Sequence, residues 1–265
     1  MGSMVLFIIL FCFLAPLFAP NDPLQTNLTH ILEPPGDQFP LGTDQVGRCI
    51  LSRLLYGAKV SLGLTLFLLA LVAVIGISVG TLAALKGKWL DAFLMRLADM
   101  ILSFPEIIFV IAIVGILGPG IGNMILALSI IWWTKYARLT RTLILRHKNS
   151  EFIHAAVMAG AGNRKLLTHY IFPNILSPLI VQFMLDIGGM LLTIASLSFL
   201  GLGVQAPTPE WGSMLSEGRA YMQTAPSLLI YPGIAIFIVV AIFNSIGDLV
   251  RDSLDPKQRT YGGSK

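Results

Sequence analysis

Long apolar runs separated by short polar segments dominate the pattern along the chain. A helix needs about 20 predominantly apolar residues to cross the hydrocarbon core of a bilayer. The polar segments between the runs carry the glycines, prolines and charges that end helices or lie in water. The pattern therefore predicts six transmembrane helices, one within residues 1–20 and the others over Ser61–Leu85, Phe93–Leu117, Asn123–Trp133, Ile175–Leu200 and Ser227–Gly247.

The composition agrees with a membrane protein and not with an ordinary soluble domain. Of the 265 residues, 55% are hydrophobic and 12% are charged, whereas soluble domains carry about 25% charged residues. The mean hydropathy is +0.78. The net charge of +4 gives no reason to expect nucleic acid as a partner, because basic residues in a membrane protein set its orientation. We therefore expect an all-α integral membrane fold.

Three regions follow from this pattern. Residues 1–20 are expected to hold the first transmembrane helix, and residues 21–60 an extracytoplasmic segment rich in Pro, Asp and Asn. Residues 61–265 are expected to form the core transmembrane domain. Within that core we expect a cytosolic loop over about 141–173 and an outer loop over about 201–226.

The distribution of Lys and Arg predicts the orientation of the chain. Cytosolic loops of membrane proteins carry an excess of these residues. On the side of the two termini we count fourteen, against four on the other side, which are Arg48, Arg53, Lys59 and Arg219. Both termini and the 134–173 loop are therefore expected in the cytosol. The fourteen are Lys86, Lys88, Arg96, Lys135, Arg138, Arg141, Arg146, Lys148, Arg164, Lys165, Arg251, Lys257, Arg259 and Lys265.

The cytosolic loop is the longest basic and polar interruption in the second half of the chain. Its alanines favour a helix, and Gly160 and Gly162 leave a surface without side chains. An amphipathic helix lying on the membrane accounts for this pattern as well as a docking element does. The segment with this pattern runs from His154-Ala155-Ala156 through Gly160 and Arg164 to Tyr170-Ile171-Phe172-Pro173.

The order of these residues resembles the "EAA" loop of ABC-importer permeases. Three further blocks, in the same order as in the peptide and nickel permeases of that family, strengthen the resemblance. They are Leu41-Gly42-Thr43-Asp44 with Gly47-Arg48 and Ser52-Arg53, then Ser198-Phe199-Leu200-Gly201-Leu202-Gly203 with Trp211-Gly212, and finally Gly247-Asp248 with Arg251-Asp252. Together the four blocks span residues from about 41 to 256, and the chain resembles the second, C-type permease subunit.

The resemblance implies a type I importer permease fold with a cytosolic coupling helix that seats in an ATPase subunit. His154 stands where the family usually has Glu, so a salt bridge from this position to the ATPase is not expected at neutral pH. The residues that the resemblance assigns to coupling are His154, Ala155, Ala156, Gly160, Arg164 and Pro173.

The resemblance also implies the partners. The sequence has no GxxxxGK[ST] phosphate loop, so we expect no enzyme and no cofactor in this chain, with ATP and Mg²⁺ bound by two partner ATPases. A homologous second permease and an extracytoplasmic binding protein complete the importer in a bacterial plasma membrane. Contact with the binding protein is expected at Gly201, Gly203, Glu210 and Trp211.

Two carboxylates fall near the middle of the predicted helices, Glu106 and Asp186, whereas Asp99 lies nearer the cytosolic end of its helix. Charges within a membrane are costly and usually functional, so both are candidates for the translocation path. A structural hydrogen bond to a neighbouring helix is the alternative for each. We assign no metal site to this chain.

Leu185-Asp186-Ile187-Gly188 and Glu210-Trp211-Gly212 resemble the nickel-type branch of the family more than its dipeptide branch. A carboxylate in the path also suits a divalent cation, so the expected cargo is nickel, cobalt or a metal–chelator complex. The alternative is a di- or oligopeptide. A stand-alone secondary transporter is less favoured, because it predicts inverted repeats and broken helices that the sequence does not display. A membrane enzyme is also less favoured, because the four histidines are scattered.

Overall fold

The computed structural model describes residue 10 and residues 12–254. Residues 1–9 and 11, from the region of the first expected transmembrane helix, and residues 255–265 of the C-terminal tail lie outside the described residues. The described part is helical, and its extended pairing consists of an isolated bridge between Thr43 and Cys49. Short 3-10 turns at Ala15–Phe18 and Leu28–His30 precede the first long helix.

Helix α1 spans Ile50–Lys86 and begins well before the expected Ser61. Cys49, in extended conformation, precedes its first turn. The early turns accept the charged Arg53 because its side chain is buried against carboxylates of the outer side. The segment ahead of the core therefore becomes helical at Ile50, ten residues before its expected end at residue 60.

The expected helix over Phe93–Leu117 is broken. Helix α2 spans Lys88–Leu102 and helix α3 spans Glu106–Leu117, and the two are bent by 87°. Pro105 immediately precedes α3. Proline has no backbone N–H and its ring clashes with the preceding turn, so the apolar pattern continues while the helix does not.

Helix α4 spans Ile121–Lys148 and does not end near Trp133 as expected. Several of the residues after Trp133 are charged. Most residues of this segment are nevertheless good helix formers, and it lacks Pro and Gly up to Asn149. The charged residues set the end of the predicted membrane helix, but they do not prevent the α-helix from continuing.

The segment after α4, predicted to be cytosolic, and the second half are also helical. After α4 come helix α5 at Glu151–Met158, a helical turn at Asn163–Lys165 and a π-helical segment at Leu166–Ile171. The remaining elements are α6 (Phe172–Phe199), α7 (Trp211–Gly218), a 3-10 turn (Arg219–Tyr221) and α8 (Ser227–Leu254).

The main hydrophobic core lies where α1, α4, α6 and α8 meet, with α7 closing one end. At Gly76 of α1, a Cβ atom would stand 2.5 Å from the Trp133 carbonyl oxygen and from the Tyr136 Cβ. Glycine is therefore required for α1 and α4 to approach this closely. A smaller cluster around Ile144, Ile153 and Ile175 joins α4, α5 and α6 at the other end.

In the described part of the chain, three helices are long and apolar enough to cross a membrane. They are Ile50–Lys86, Leu166–Phe199 and Ser227–Asp252. The bent pair α2–α3 makes a fourth if it is counted as one span. The predicted all-α membrane fold agrees with this, while the number of six transmembrane helices remains a prediction.

Candidate functional site

Asp186, one of the two predicted path residues, forms an ion pair inside the bundle. Its Oδ1 atom lies 2.5 Å from Nζ of Lys135 on α4 and accepts a hydrogen bond of 2.9 Å from Gln182 Nε2 on α6. The Asp186 side chain is 6% exposed and that of Lys135 is 49% exposed. The pair therefore presents its cation, not its carboxylate, to the surroundings.

Glu106 belongs to the same polar network. Trp132 on α4 donates a 2.8 Å hydrogen bond from Nε1 to Glu106 Oε1 at the start of α3. The ammonium of Lys135 lies 5.7 Å from the centre of the Trp132 ring, within the range of a cation–π contact. The two carboxylates predicted for the path are thus linked through two α4 side chains, and each has a partner on a neighbouring helix.

The network lies deep within its helices. At 1.5 Å per residue, Lys135 is about 20 Å from the start of α4. Asp186 is about 20 Å from the end of α6, which leads into the 201–226 loop. Asp186 Oδ2 and the Tyr136 hydroxyl are buried without a hydrogen-bond partner among the described residues. Tyr136 is nevertheless within electrostatic range of Asp186.

Lys135 and Trp132 were missed by the sequence analysis, which placed Lys135 in the cytosolic loop. Because α4 continues to Lys148, Lys135 lies within the helix instead. Continuing the helical pattern past Trp133 would have revealed this. Two further α4 cations, counted as loop residues, also pair with α2: Arg138 with Asp99 and Arg141 with Asp91.

The predicted coupling residues lie around the short helix α5. His154 and Ala155 are exposed, whereas Ala156 is buried beneath them. Gly160 follows α5 with φ +84°, and no atom lies within 4 Å of the position that its Cβ would take. Arg164 and Pro173 are exposed farther along the chain.

Apolar side chains are exposed on the same helix. Phe152, Val157 and Met158, which we call the α5 apolar patch, all project from α5, and Met158 is 89% exposed. Ile153 and Ala156 are buried and anchor the helix to the bundle. At 3.6 residues per turn, Phe152 and Val157 flank this buried face and Met158 lies opposite it. The helix is therefore held by one face while its other face remains uncovered within the described chain.

The outer-loop residues divide into buried and exposed ones. Glu210 is fully buried and caps α7, accepting hydrogen bonds from the backbone of Gly212 and Ser213 and from Ser61 Oγ. Burial raises the pKa of the Glu210 carboxyl, and these hydrogen bonds oppose that shift. Trp211 is also buried, and its Nε1 donates to the Leu54 carbonyl at 3.1 Å.

The two glycines of this loop differ in the same way. Gly201 is exposed with φ +79°. Gly203 is buried against the Ser198 hydroxyl and the Met124 sulfur, which stand where its Cβ would go. Of the four residues predicted to contact a binding protein, Gly201 alone is exposed, and the other three hold the loop onto the bundle.

A buried ion cluster, which we call the outer clamp, ties the segment before α1 to α7. Arg48 lies 2.6 Å from Asp44 and 2.5 Å from Glu217, and Arg53 lies 3.1 Å from Glu217. The Arg53 side chain is 1% exposed. The sequence analysis used Asp44, Arg48 and Arg53 for the resemblance but did not predict Glu217 as their partner.

Comparison with known proteins agrees with this architecture. Residues 76–260 match the family described as binding-protein-dependent transport system inner membrane component. Residues 2–35 match the N-terminal TM domain of oligopeptide transport permease C.

Two curated relatives and one solved structure illustrate the match. The dipeptide transport system permease protein DppC of Alkalihalophilus pseudofirmus is 41% identical, with 95% of this chain and 83% of the relative covered. The nickel transport system permease protein NikC of Escherichia coli K12 is 42% identical, with 89% of this chain and 86% of the relative covered. The inward-facing MetNI methionine ABC transporter gives a TM-score of 0.62 at 18% identity, over 77% of this chain and 97% of that one.

The structural match confirms the predicted type I importer permease fold. The sequence matches confirm the predicted family, and the relatives are transport-system permeases, in agreement with the expectation that this subunit is not an enzyme. The chain therefore belongs to the family of membrane permease subunits of dipeptide, oligopeptide and nickel ABC importers.

Proposed function

We propose that this chain forms half of the pore of an ATP-driven importer and that α5 docks on a cytosolic ATPase subunit. The observation that carries the proposal is the α5 apolar patch. Exposed apolar side chains grouped on one short helix mark an interaction surface. The patch lies on a short helix that is anchored to the bundle through Ile153 and Ala156. A displacement of α5 by the ATPase therefore displaces α4 and α6 as well.

Two features of the neighbouring residues support docking without a salt bridge. His154 is exposed on α5 and carries no carboxylate charge, so apolar contact supplies the affinity. Gly160 leaves backbone uncovered at the end of the helix, which lets a partner approach closely. Arg164 and Pro173 flank this surface as secondary contacts.

The remaining partners follow the expected organisation of such an importer. A homologous permease supplies the other half of the pore, and lipid covers the rest of the exposed apolar surface. A binding protein delivers cargo at the side of the outer clamp, meeting the loop at Gly201 and the exposed residues 205–207. Both termini and α5 lie in the cytosol of a bacterial cell with the chain in the plasma membrane.

For the cargo, we place a di- or oligopeptide first and nickel, cobalt or a metal chelate second. Part of the argument for a cation was a carboxylate in the path. Asp186 is instead paired with Lys135, which balances its charge. The 42% identity to a nickel permease keeps the metal as the second candidate.

A substitution in the α5 apolar patch tests the docking proposal. Met158→Glu should abolish co-purification of the ATPase subunits with the permease pair, because a carboxylate in an apolar contact must lose its water without gaining a partner. Membrane insertion and assembly with the second permease should persist, since the Met158 side chain is almost fully exposed.

Met222→Glu is the matched control, because Met222 is an exposed methionine of the outer side, 59% accessible. It should co-purify the ATPase as the wild type does. Equal recovery of the ATPase with both variants would contradict docking through α5.

A further inference from the structure

We propose that Lys135 binds a carboxylate group of the cargo inside the membrane path, with Asp186 and Trp132 as positioning residues that hold its ammonium in place. This inference rests on the proposed importer function and deepens it. Carboxylates of two sources fit: the C-terminal carboxylate of a small peptide, or the carboxylates of an organic metal chelate. Bare divalent cations do not fit.

The first argument is the location of the exposed cation. The Lys135 side chain is 49% exposed, although the residue lies about 20 Å from the outer end of α4. A charged group at such depth does not face lipid at an acceptable cost; it faces protein or a water-filled cavity. In a permease pair, the polar side chain at this depth belongs to the surface that cargo passes.

The second argument is that the ammonium is held but not saturated. An ammonium has three donors, and Asp186 Oδ1, itself fixed by Gln182, occupies one of them. The Trp132 ring lies beside the ammonium and is fixed by its own hydrogen bond to Glu106. A long lysine side chain would otherwise sample many rotamers, so these contacts orient it in advance of binding.

The third argument is charge. The carboxylate of the pair is buried and its cation is exposed, so cargo that reaches the pair meets the ammonium before the carboxylate of Asp186. A cargo carboxylate gains a charge-assisted hydrogen bond there.

Chemical rescue at position 135 tests the role of the charge. In cells carrying the complete importer, Lys135→Cys should lower uptake of labelled dialanine by about tenfold, the loss expected for one charge-assisted hydrogen bond. Modification with 2-aminoethyl methanethiosulfonate, which restores a cation, should recover most of that uptake. The neutral reagent methyl methanethiosulfonate should recover none.

Two controls accompany the rescue. Lys86→Cys, at an exposed lysine where α1 ends, should respond to neither reagent. Wild-type protein with its two buried cysteines, Cys12 and Cys49, should also be insensitive. Parallel uptake of nickel citrate and of nickel ions alone identifies the source of the carboxylate: loss and rescue with dialanine indicate a peptide, and with nickel citrate a chelate.

Several results would overturn the proposal. Wild-type uptake by Lys135→Cys would do so, as would rescue by the neutral reagent or by neither reagent. Import of nickel ions alone at equal rates with and without Lys135 would exclude a carboxylate cargo. Failure of the wild-type chain to co-purify with any ATPase would instead overturn the importer function itself. This result distinguishes failure of the importer function from failure of the proposed role of Lys135.

If Lys135→Cys fails to assemble, the double variant Lys135→Met, Asp186→Leu answers the same question. Replacing both members of the pair leaves no buried carboxylate without its cation, so the bundle should assemble. Its uptake of dialanine should fall by about tenfold or more. Wild-type uptake by the assembled double variant would overturn the role of Lys135.

Discussion

Glu210 illustrates how a single buried carboxylate fixes the outer loop. It accepts from two backbone N–H groups at the start of α7 and from Ser61 on α1. These bonds satisfy orphan donors of the helix terminus and join α7 to α1. The charge is tolerated because its hydrogen bonds compensate the burial that raises the Glu210 pKa.

Glu210→Ala should destabilise the assembled permease by about 2 kcal/mol, because it removes a helix cap and leaves buried donors unsatisfied. Thermal unfolding of the detergent-solubilised complex measures the effect. Asp37→Ala, at an exposed carboxylate of the same side, is the control and should change the melting temperature little. Equal melting of both variants would contradict a structural role for Glu210.

At the scale of the elements, the contact between α1 and α4 depends on glycine. Gly76 faces the Trp133 carbonyl oxygen and the Tyr136 Cβ, and Gly80 faces the Ala137 carbonyl, one turn farther along. Small residues at such positions let helix backbones approach closely in membranes. This contact also fixes the rotation of α4, and therefore the direction in which Lys135 points.

Gly76→Leu should force α1 and α4 apart, with an overpacking cost of about 1–3 kcal/mol or more. A lower melting temperature and reduced recovery of the assembled complex are expected. Gly63→Leu on the same helix is the matched control, because its Cβ would meet a single side-chain atom of Phe13 at 3.9 Å. If Gly63→Leu were the more harmful of the two, the close approach at Gly76 would not be required.

At the scale of the whole molecule, the outer clamp joins regions far apart in sequence. Arg48 and Arg53 meet Glu217 more than 160 residues later. Since both arginines are buried and doubly paired, the cluster is more than a surface ion pair. It holds the segment before α1 against the outer loop and closes the molecule at that end.

Arg53→Met should destabilise the assembled complex by about 3 kcal/mol, because it leaves the buried carboxylates of Asp44 and Glu217 to share Arg48. Lys59→Met, at an exposed cation of the same helix, is the control and should have little effect. Comparison of the two melting temperatures checks the prediction. The clamp would be unnecessary if Arg53→Met melted as the control does.

Much of the fold was accessible from the chain itself. Apolar runs located α1, α6 and α8, and charge marked the α5 segment as polar and distinct. The predicted boundaries were wrong where two signals disagree. At Pro105 the apolar pattern continues through a backbone break, and after Trp133 the helix continues through a run of charges. The initiation of α1 at Ile50 depended on ion pairs with residues remote in sequence.

The sequence analysis found some residues of the candidate sites and missed others, because contacts between helices leave no local pattern in the sequence. Glu106 and Asp186 are visible as carboxylates in apolar segments. The sequence analysis missed Lys135 because it ended the helix near Trp133 and placed Lys135 in the following loop. Glu210 and Trp211 were assigned to an outward surface, and no local pattern distinguishes a loop residue that faces out from one folded onto α1.

By itself, the sequence determined that this is a helical membrane protein of the importer permease family, because apolar run length and local motifs are properties of contiguous residues. The tertiary structure decided which partner each buried charge takes. The Lys135–Asp186 pair and the outer clamp join residues from different helices, and their pairing depends on how those helices approach and rotate. Close packing at glycines such as Gly76 sets that geometry, which no stretch of sequence contains alone.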